Sequence, residues 1–398
     1  MNPPPTAPWD NVVPLSPDYG NASAPPPTAA EASILDEQHT PFSDNQIQQL
    51  LKQGFTRGLC SALEDAKQVF ALRIWIVDNS GSMQQADGQR MVVTSKNAIK
   101  MVPCSRWDEI VECVEYHAKL AGLMEAPTRF RLLNNPGANV GPQQFSIAEV
   151  DGHQSTTNMI PRQIEQATGI MRKAGPSGCT PLTSHILEIH AEVSRMAPAL
   201  RRQGKKVAII IATDGLPTDE RGFGGLNRNQ EFVDALRMLE GLPVWVVVRL
   251  CTNDDDIVKF YNDLDGQLEL SLEVLDDFCG EAQEVTSQNP WLNYGLPLHR
   301  LREFGCHDRV FDILDERPFL KSDIRDFFAL LFGRDNFDGM ADPLVDWDAF
   351  VQQIAHLLHA EAYQYNPLTR RVSPWINISR LNRIHGRMQC LPASCEIM

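Results

Sequence analysis

Between residues 71 and 290 the chain alternates short, wholly apolar runs with longer stretches whose apolar residues recur every three or four positions. Ile74 to Val77 in RIWIVDNSGSM, VAIIIATDG from Val207 and VWVVVRLC from Val244 are continuous apolar runs that stop at polar or turn-forming residues. Such runs are buried on both faces and belong to the strands of a parallel sheet. DEIVECVEYHAKLAGLM, IPRQIEQATGIMRKA, TPLTSHILEIHAEVSRMAPAL, EFVDALRMLEGL and IVKFYNDLD have helical spacing, and QRMVVTSKNAIKMV reads the same way. RFRLLNN and QQFSIAEV are shorter strand candidates around the turn NPGANVGP. LSLEVLD can close the sheet, with a helix around CGEAQEV after it. The alternation predicts an α/β fold with a doubly wound, mostly parallel sheet and flanking helices over 71–290.

Both flanks read differently. The stretch 43–70 places Ile47, Leu50, Leu51, Phe55 and Leu59 at helical spacing behind an N-capping Ser43 or Asp44, predicting one N-terminal helix that packs on the domain. Residues 1–42 are rich in Pro, Ala and Ser with few large apolar residues, which predicts a disordered arm. From 291 to 385 the pattern is helical without buried strands: PLHRLREF, SDIRDFFALLFG and DWDAFVQQIAHLLHAEAYQY. In the last, Phe350, Val351, Ile354, Leu357 and Leu358 form an apolar stripe behind Asp346 as N-cap. A small C-terminal helical extension is expected there, followed by a flexible tail over 386–398.

Composition narrows the function. With a net charge of −15 over 398 residues the chain gains no counterion release from nucleic acid, which argues against that partner. The nine cysteines are odd in number, contain no C-x-x-C and show no zinc-like spacing, so reduced thiols in an intracellular protein are expected. The first residues, MNPPPTAPWDNVV, have neither a positive stretch nor an apolar run, so no signal peptide is expected there, and no apolar run reaches membrane-spanning length.

Three separated segments carry the candidate chemistry. Asp78-Asn79-Ser80-Gly81-Ser82 follows the first buried strand, Thr180 in GCTPL opens a helix, and Asp214 in IATDG ends the second strong strand. All three belong at the carboxyl edge of a doubly wound sheet, where ligands bind. Hydroxyl and carboxylate oxygens are hard donors that suit Mg²⁺, Mn²⁺ or Ca²⁺ rather than zinc. So few charged donors leave the cation electrophilic, with a position that a partner's Asp or Glu can take.

The D-x-S-x-S at 78–82, the Thr of GCTPL and the Asp of TDG together resemble the metal-ion-dependent adhesion site of the von Willebrand factor A family, over roughly residues 70–290. The resemblance implies Ser80, Ser82 and Thr180 as oxygen ligands, with Asp78 and Asp214 bridging. Cys179 departs from the family's usual small residue. The distance from Ser82 to Thr180 is long for the family and suggests an insertion around 125–160.

Other motifs carry less. GRDNFDGMADPLV fails as an EF-hand, because Arg334 and Val345 fall where carboxylates are required. Asp254, Asp255 and Asp256 read as a helix start. His185 and His190 are five apart and do not share a helix face. No nucleophile elbow, P-loop or dinucleotide fingerprint occurs, so no enzymatic site is expected. The last four residues, Cys395-Glu396-Ile397-Met398, fit a prenylation motif, with Cys390 as a palmitoylation candidate. The expected function is a non-enzymatic, Mg²⁺-dependent (or Mn²⁺- or Ca²⁺-dependent) protein-binding scaffold in the cytoplasm. A lipidated tail would tether it to the cytosolic face of a membrane. The alternative is an accessory subunit of an AAA+-type machine.

Overall fold

The computed structural model describes residues 40–93, 99–149, 156–264 and 266–386. Two helices, α1 (Asp44–Lys52) and α2 (Arg57–Val69), lead into β1 (Phe70–Val77). A hairpin follows, β2 (Gly88–Val93) and β3 (Ile99–Cys104), then α3 (Arg106–Met124), β4 (Thr128–Leu132), β5 (Gln144–Ile147) and α4 (Thr156–Lys173). Next come α5 (Leu182–Gln203), β6 (Lys206–Thr213), α6 (Leu226–Arg237), β7 (Val244–Leu250), α7 (Asp255–Asn262), β8 (Leu272–Leu275) and α8 (Phe278–Gln288). The remainder holds α9 (Leu296–Glu303), α10 (Arg309–Asp312), α11 (Lys321–Phe332), α12 (Trp347–Leu358), β9 (Gln364–Asn366), β10 (Arg371–Ser373) and α13 (Ile378–His385).

The central sheet has six strands in the order β5-β4-β1-β6-β7-β8. Its neighbours run parallel, except that β5 lies antiparallel on β4 at one edge. Period-two alternation along each buried strand feeds two separate cores. Trp75 and Val77 of β1, with Ile210 of β6 and Val247 of β7, face one core. Ile74 and Ile76, with Ile209, Ile211, Val246 and Val248, face the other, which is closed by α5 and α6 through Ile186, Ile189 and Phe232. The fold is the mixed α/β, mostly parallel architecture that the apolar runs predict.

Three details differ from the sequence reading. The single helix expected over 43–70 is two, each with its own cap: Ser43 for α1 and Thr56 for α2. Phe55 falls in the break and is buried there. QRMVVTSKNAIKMV is not a helix but the hairpin β2–β3, whose strands pair antiparallel from Gly88 opposite Cys104 to Val93 opposite Ile99. Both strands are only partly covered, so their apolar residues never had to share a helical stripe. The last helical run ends at Leu358, and Gln364 begins the β9–β10 hairpin inside what reads as purely helical sequence.

The segment from 291 onward is not a free appendage. Phe304, Phe327, Phe328 and Phe350 belong to the same apolar core as Leu59 and Leu63 of α2 and Trp75 of β1. Arg73, wholly buried in β1, links the parts through hydrogen bonds from Nε to Phe304 O (3.1 Å) and from Nη2 to Ala66 O (3.0 Å). Its guanidinium lies 3.9 Å from the Phe304 ring centroid. Among the described residues no helix is long and apolar enough to cross a membrane. The seven described cysteines form no disulfide. Cys390 and Cys395, and most of the N-terminal arm, lie outside the described residues.

Just after β8, Asp276 is pushed up to about 6 by burial and by the nearby Glu284 and Asp277. The folded chain holds that proton more tightly than the unfolded one, so the associated stability is complete near pH 4 and is lost as pH rises through about 6. Asp276→Asn is therefore expected to raise unfolding free energy at about pH 7 by roughly 2 kcal/mol and to change it little near pH 4. Urea denaturation at both pH values checks this.

Candidate functional site

Adjacent parallel strands β1 and β6 bring the first and third segments together. Val77 lies opposite Ala212 in the register, and Asp78 N donates to Ala212 O (2.8 Å), so Asp78 and Asp214 leave the sheet side by side. The chain turns back between β1 and β6, which head towards opposite edges of the sheet, and a crevice opens at such a switch point.

Asp78 is wholly buried and held on both oxygens. Oδ1 accepts from Ser80 N (2.8 Å) and Oδ2 accepts from the Thr213 hydroxyl (2.6 Å). The Ser80 and Ser82 hydroxyls are 3.0 Å apart, and Ser82 donates to Asp214 Oδ1 at 2.7 Å. Burial, and secondly the charge on Asp214, pushes Asp78 up to about 6 against the pull of the Thr213 and Ser80 donors. Two close, buried carboxylates thus create a demand for positive charge.

The second segment is tied to the first by amides. Asn79 Oδ1 accepts from Asn134 N (2.7 Å), and Asn79 Nδ2 donates to Asn134 O (3.0 Å). Asn134 Nδ2 in turn donates to Cys179 O (2.7 Å), and Gly81 N donates to Gly178 O (3.2 Å). Gly178 has φ +90°, and a Cβ there would meet Asn134 Oδ1 at 2.6 Å, so this clasp requires glycine. Thr180, buried next in line, donates its backbone N–H to the Thr218 hydroxyl (2.9 Å). A Cβ built on Gly215 would stand 3.8 Å from Thr180 Oγ1, so the hydroxyl borders the turn that carries Asp214. The structure therefore gathers Asp78, Ser80, Ser82, Thr180 and Asp214 around one crevice.

The sequence reading missed a resident cation. Arg106, at the start of α3, donates from Nη1 to Asp214 Oδ2 (2.9 Å). Its Nε and Nη2 hold Asp87 at 2.7 and 2.6 Å. The guanidinium is nearly buried, as is Asp214, whereas the Asp87 side chain is 53% exposed. No local motif reveals this pair, because Arg106 and Asp214 are 108 positions apart. Asn134 was equally hidden, at the end of the strand candidate RFRLLNN.

The remaining candidates stay apart from the crevice chemistry. Asp254 caps α7, its Oδ1 accepting from Asp256 N (3.0 Å), as its position after a strand predicts. His185 lies 3.1 Å from Leu133 O and His190 lies 3.3 Å from the Ser194 hydroxyl, so each has its own neighbour.

No family model and no curated protein matches this chain. Among solved structures, a point mutant of the PilB minor pilin from Streptococcus sanguinis is similar at 13% identity and a TM-score of 0.32. The match covers 62% of this chain and 60% of that one, so the chain spans less than two thirds of its length. A likeness of that degree bears on neither the site nor its chemistry.

Proposed function

We propose that this chain is a divalent-cation-dependent protein-binding module of the von Willebrand factor A type, a scaffold rather than a catalyst. Ser80, Ser82 and Thr180 would hold Mg²⁺ (or Mn²⁺ or Ca²⁺), with Asp78 and Asp214 acting through hydrogen bonds and ordered water. One observation carries the reading: the chain from Ser80 to Ser82 to Asp214, at 3.0 and 2.7 Å, presents hydroxyl oxygens backed by buried carboxylates at the crevice. That donor set fits a hard cation. When bound, the cation supplies an electrophilic position for a carboxylate of a protein partner.

The protein's own residues have two tasks. Asp78 and Thr213 hold the turn in shape, and the Asn79–Asn134 clasp keeps Thr180 against it. Arg106 offsets part of the carboxylate charge, so that the crevice can exist before any cation arrives.

A thermal titration tests the reading. Mg²⁺ or Mn²⁺ at about 100 times its dissociation constant is expected to stabilise the wild type by about 2.7 kcal/mol. Asp214→Ala should abolish the gain. Ser82→Ala, which leaves the Arg106–Asp214 pair intact, should weaken it. A wild-type melting point unchanged across the titration would remove the reading.

A further inference from the structure

The central sheet ends at β8, which has β7 on one side and, among the described residues, no strand on the other. Leu272 lies opposite Val246, whose N–H donates to Ser271 O (3.0 Å). In a parallel ladder that bond turns the main-chain N–H and C=O of Leu272 and Val274 away from β7. No turn or loop bond between main-chain groups of the described residues takes them either. A cleft of about 850 Å³ runs along this open edge, between α8 and the segment around α10.

We propose that an extended, basic segment of a partner protein docks in this cleft by adding a strand beside β8. Main-chain bonds to an open edge give such complexes affinity, and alternate side chains give them specificity. The two faces of β8 differ. Leu272 and Val274 pack on the apolar layer closed by α5 and α6, whereas Glu273 points to the other layer, where it accepts from Arg302. A bound strand would place every second side chain beside the acids of that layer and the rest beside aliphatic carbon. The matching sequence alternates Lys or Arg with Val, Ile or Leu.

Charge selects this occupant. Glu273, Glu284, Asp312, Asp315 and Glu316 border the cleft, and the basic side chains there are Arg302 and His307. Arg302 is already shared among Glu273, Glu281 and Asp315, so the cleft stays negative. Charges along an edge usually ward off stray strands. Carboxylates ward off acidic ones, and a second copy of this chain, at −15, is for that reason a poor occupant.

Two buried groups at the cleft add an independent observation. The Glu273 side chain is 9% exposed; its Oε1 accepts from Arg302 Nε (2.8 Å), while Oε2 has no hydrogen-bond partner among the described residues. Trp245 is 6% exposed and stacks on His307, with ring centroids 4.1 Å apart, and its indole N–H is likewise unmet. Buried polar groups without a partner are costly. A Lys or Arg side chain of a bound strand would answer the Glu273 oxygen, and a carbonyl would answer the Trp245 N–H. The run LSLEVLD discloses the strand but not that its outer edge stays open, which depends on where the chain goes afterwards.

Fluorescence anisotropy of a labelled Lys-Val-Lys-Val-Lys-Val-Lys peptide with the full chain tests the inference, in EDTA so that no cation at the crevice enters the readout. The peptide is expected to bind about tenfold more tightly than Lys-Lys-Lys-Lys-Val-Val-Val, which has the same charge without the alternation. The double variant Glu284→Lys/Glu316→Lys, at two exposed positions, should weaken binding by about tenfold as well. Val274→Pro removes one outward N–H and spares the ladder to β7, so the folded variant should also lose the alternating peptide. Absence of binding by the wild type would overturn the inference, as would equal affinity for the two peptides. Wild-type affinity in the lysine variant, or in folded Val274→Pro, would overturn it too. Should Val274→Pro fail to fold, the peptide order and the lysine variant decide.

Discussion

Arg106→Met is expected to lower the unfolding free energy by about 3–5 kcal/mol in the absence of divalent cation, the usual cost of stripping one partner from a buried ion pair. The reason is local. Asp214 is 1% exposed and Asp78 is wholly buried, and Arg106 is the guanidinium bonded between Asp214 and Asp87. Methionine keeps most of the volume and removes the charge, leaving two close carboxylates without it. Asp87→Asn is the informative contrast. Its side chain is 53% exposed, so its half of the pair is screened and its loss should cost less than about 1 kcal/mol. Saturating Mg²⁺ should return part of what Arg106→Met loses, since either cation answers the same charge. Urea unfolding with chelator and with Mg²⁺ measures both effects, and equal losses for Arg106→Met and Asp87→Asn would contradict this account of the pair.

Gly58→Ala is expected to be nearly as damaging, at about 3 kcal/mol or more, through overpacking against backbone. Gly58 is where α2 crosses the end of α11. A Cβ there would come within 2.6 Å of Leu331 C and closer still to Leu330 O and Gly333 N. Backbone atoms cannot step aside as a flexible side chain would. The Thr56 hydroxyl donates to Leu331 O beside the same contact, so the two helices are held by bonding as well as shape. A chain in which residues beyond 291 folded as an independent unit would tolerate the substitution. A single cooperative transition, shifted to lower denaturant, is the expected observation; two transitions would show separate units.

Apolar patterning made the sheet legible because β1, β6 and β7 are buried on both faces, and nothing but an unbroken apolar run satisfies that environment. The same logic failed for β2 and β3. A half-exposed hairpin constrains its residues weakly, and Met91, Val92, Ile99 and Met101 could fit a helix stripe as easily. The ends of the helix expected over 43–70 were legible, but not its break at Phe55. At the crevice, Asp78, Ser80, Ser82, Thr180 and Asp214 were readable because their types and order follow the sheet's carboxyl edge. Arg106 and Asn134 were not, because a charge or an amide acquires its meaning only from a partner that folding brings near. Glu303 is the extreme case, a glutamate in an ordinary helical run that ends among Cys113, His117 and His299.

The proposed function stands on a cation being held at the crevice by hydroxyl oxygens. The most direct measurement is the anomalous difference map of a crystal of this protein equilibrated with Mn²⁺. The expected result is a peak within coordination distance of the Ser80, Ser82 and Thr180 hydroxyls, with Asp214 still paired to Arg106. A map without a peak there, at Mn²⁺ concentrations that leave the crystal ordered, would contradict the account.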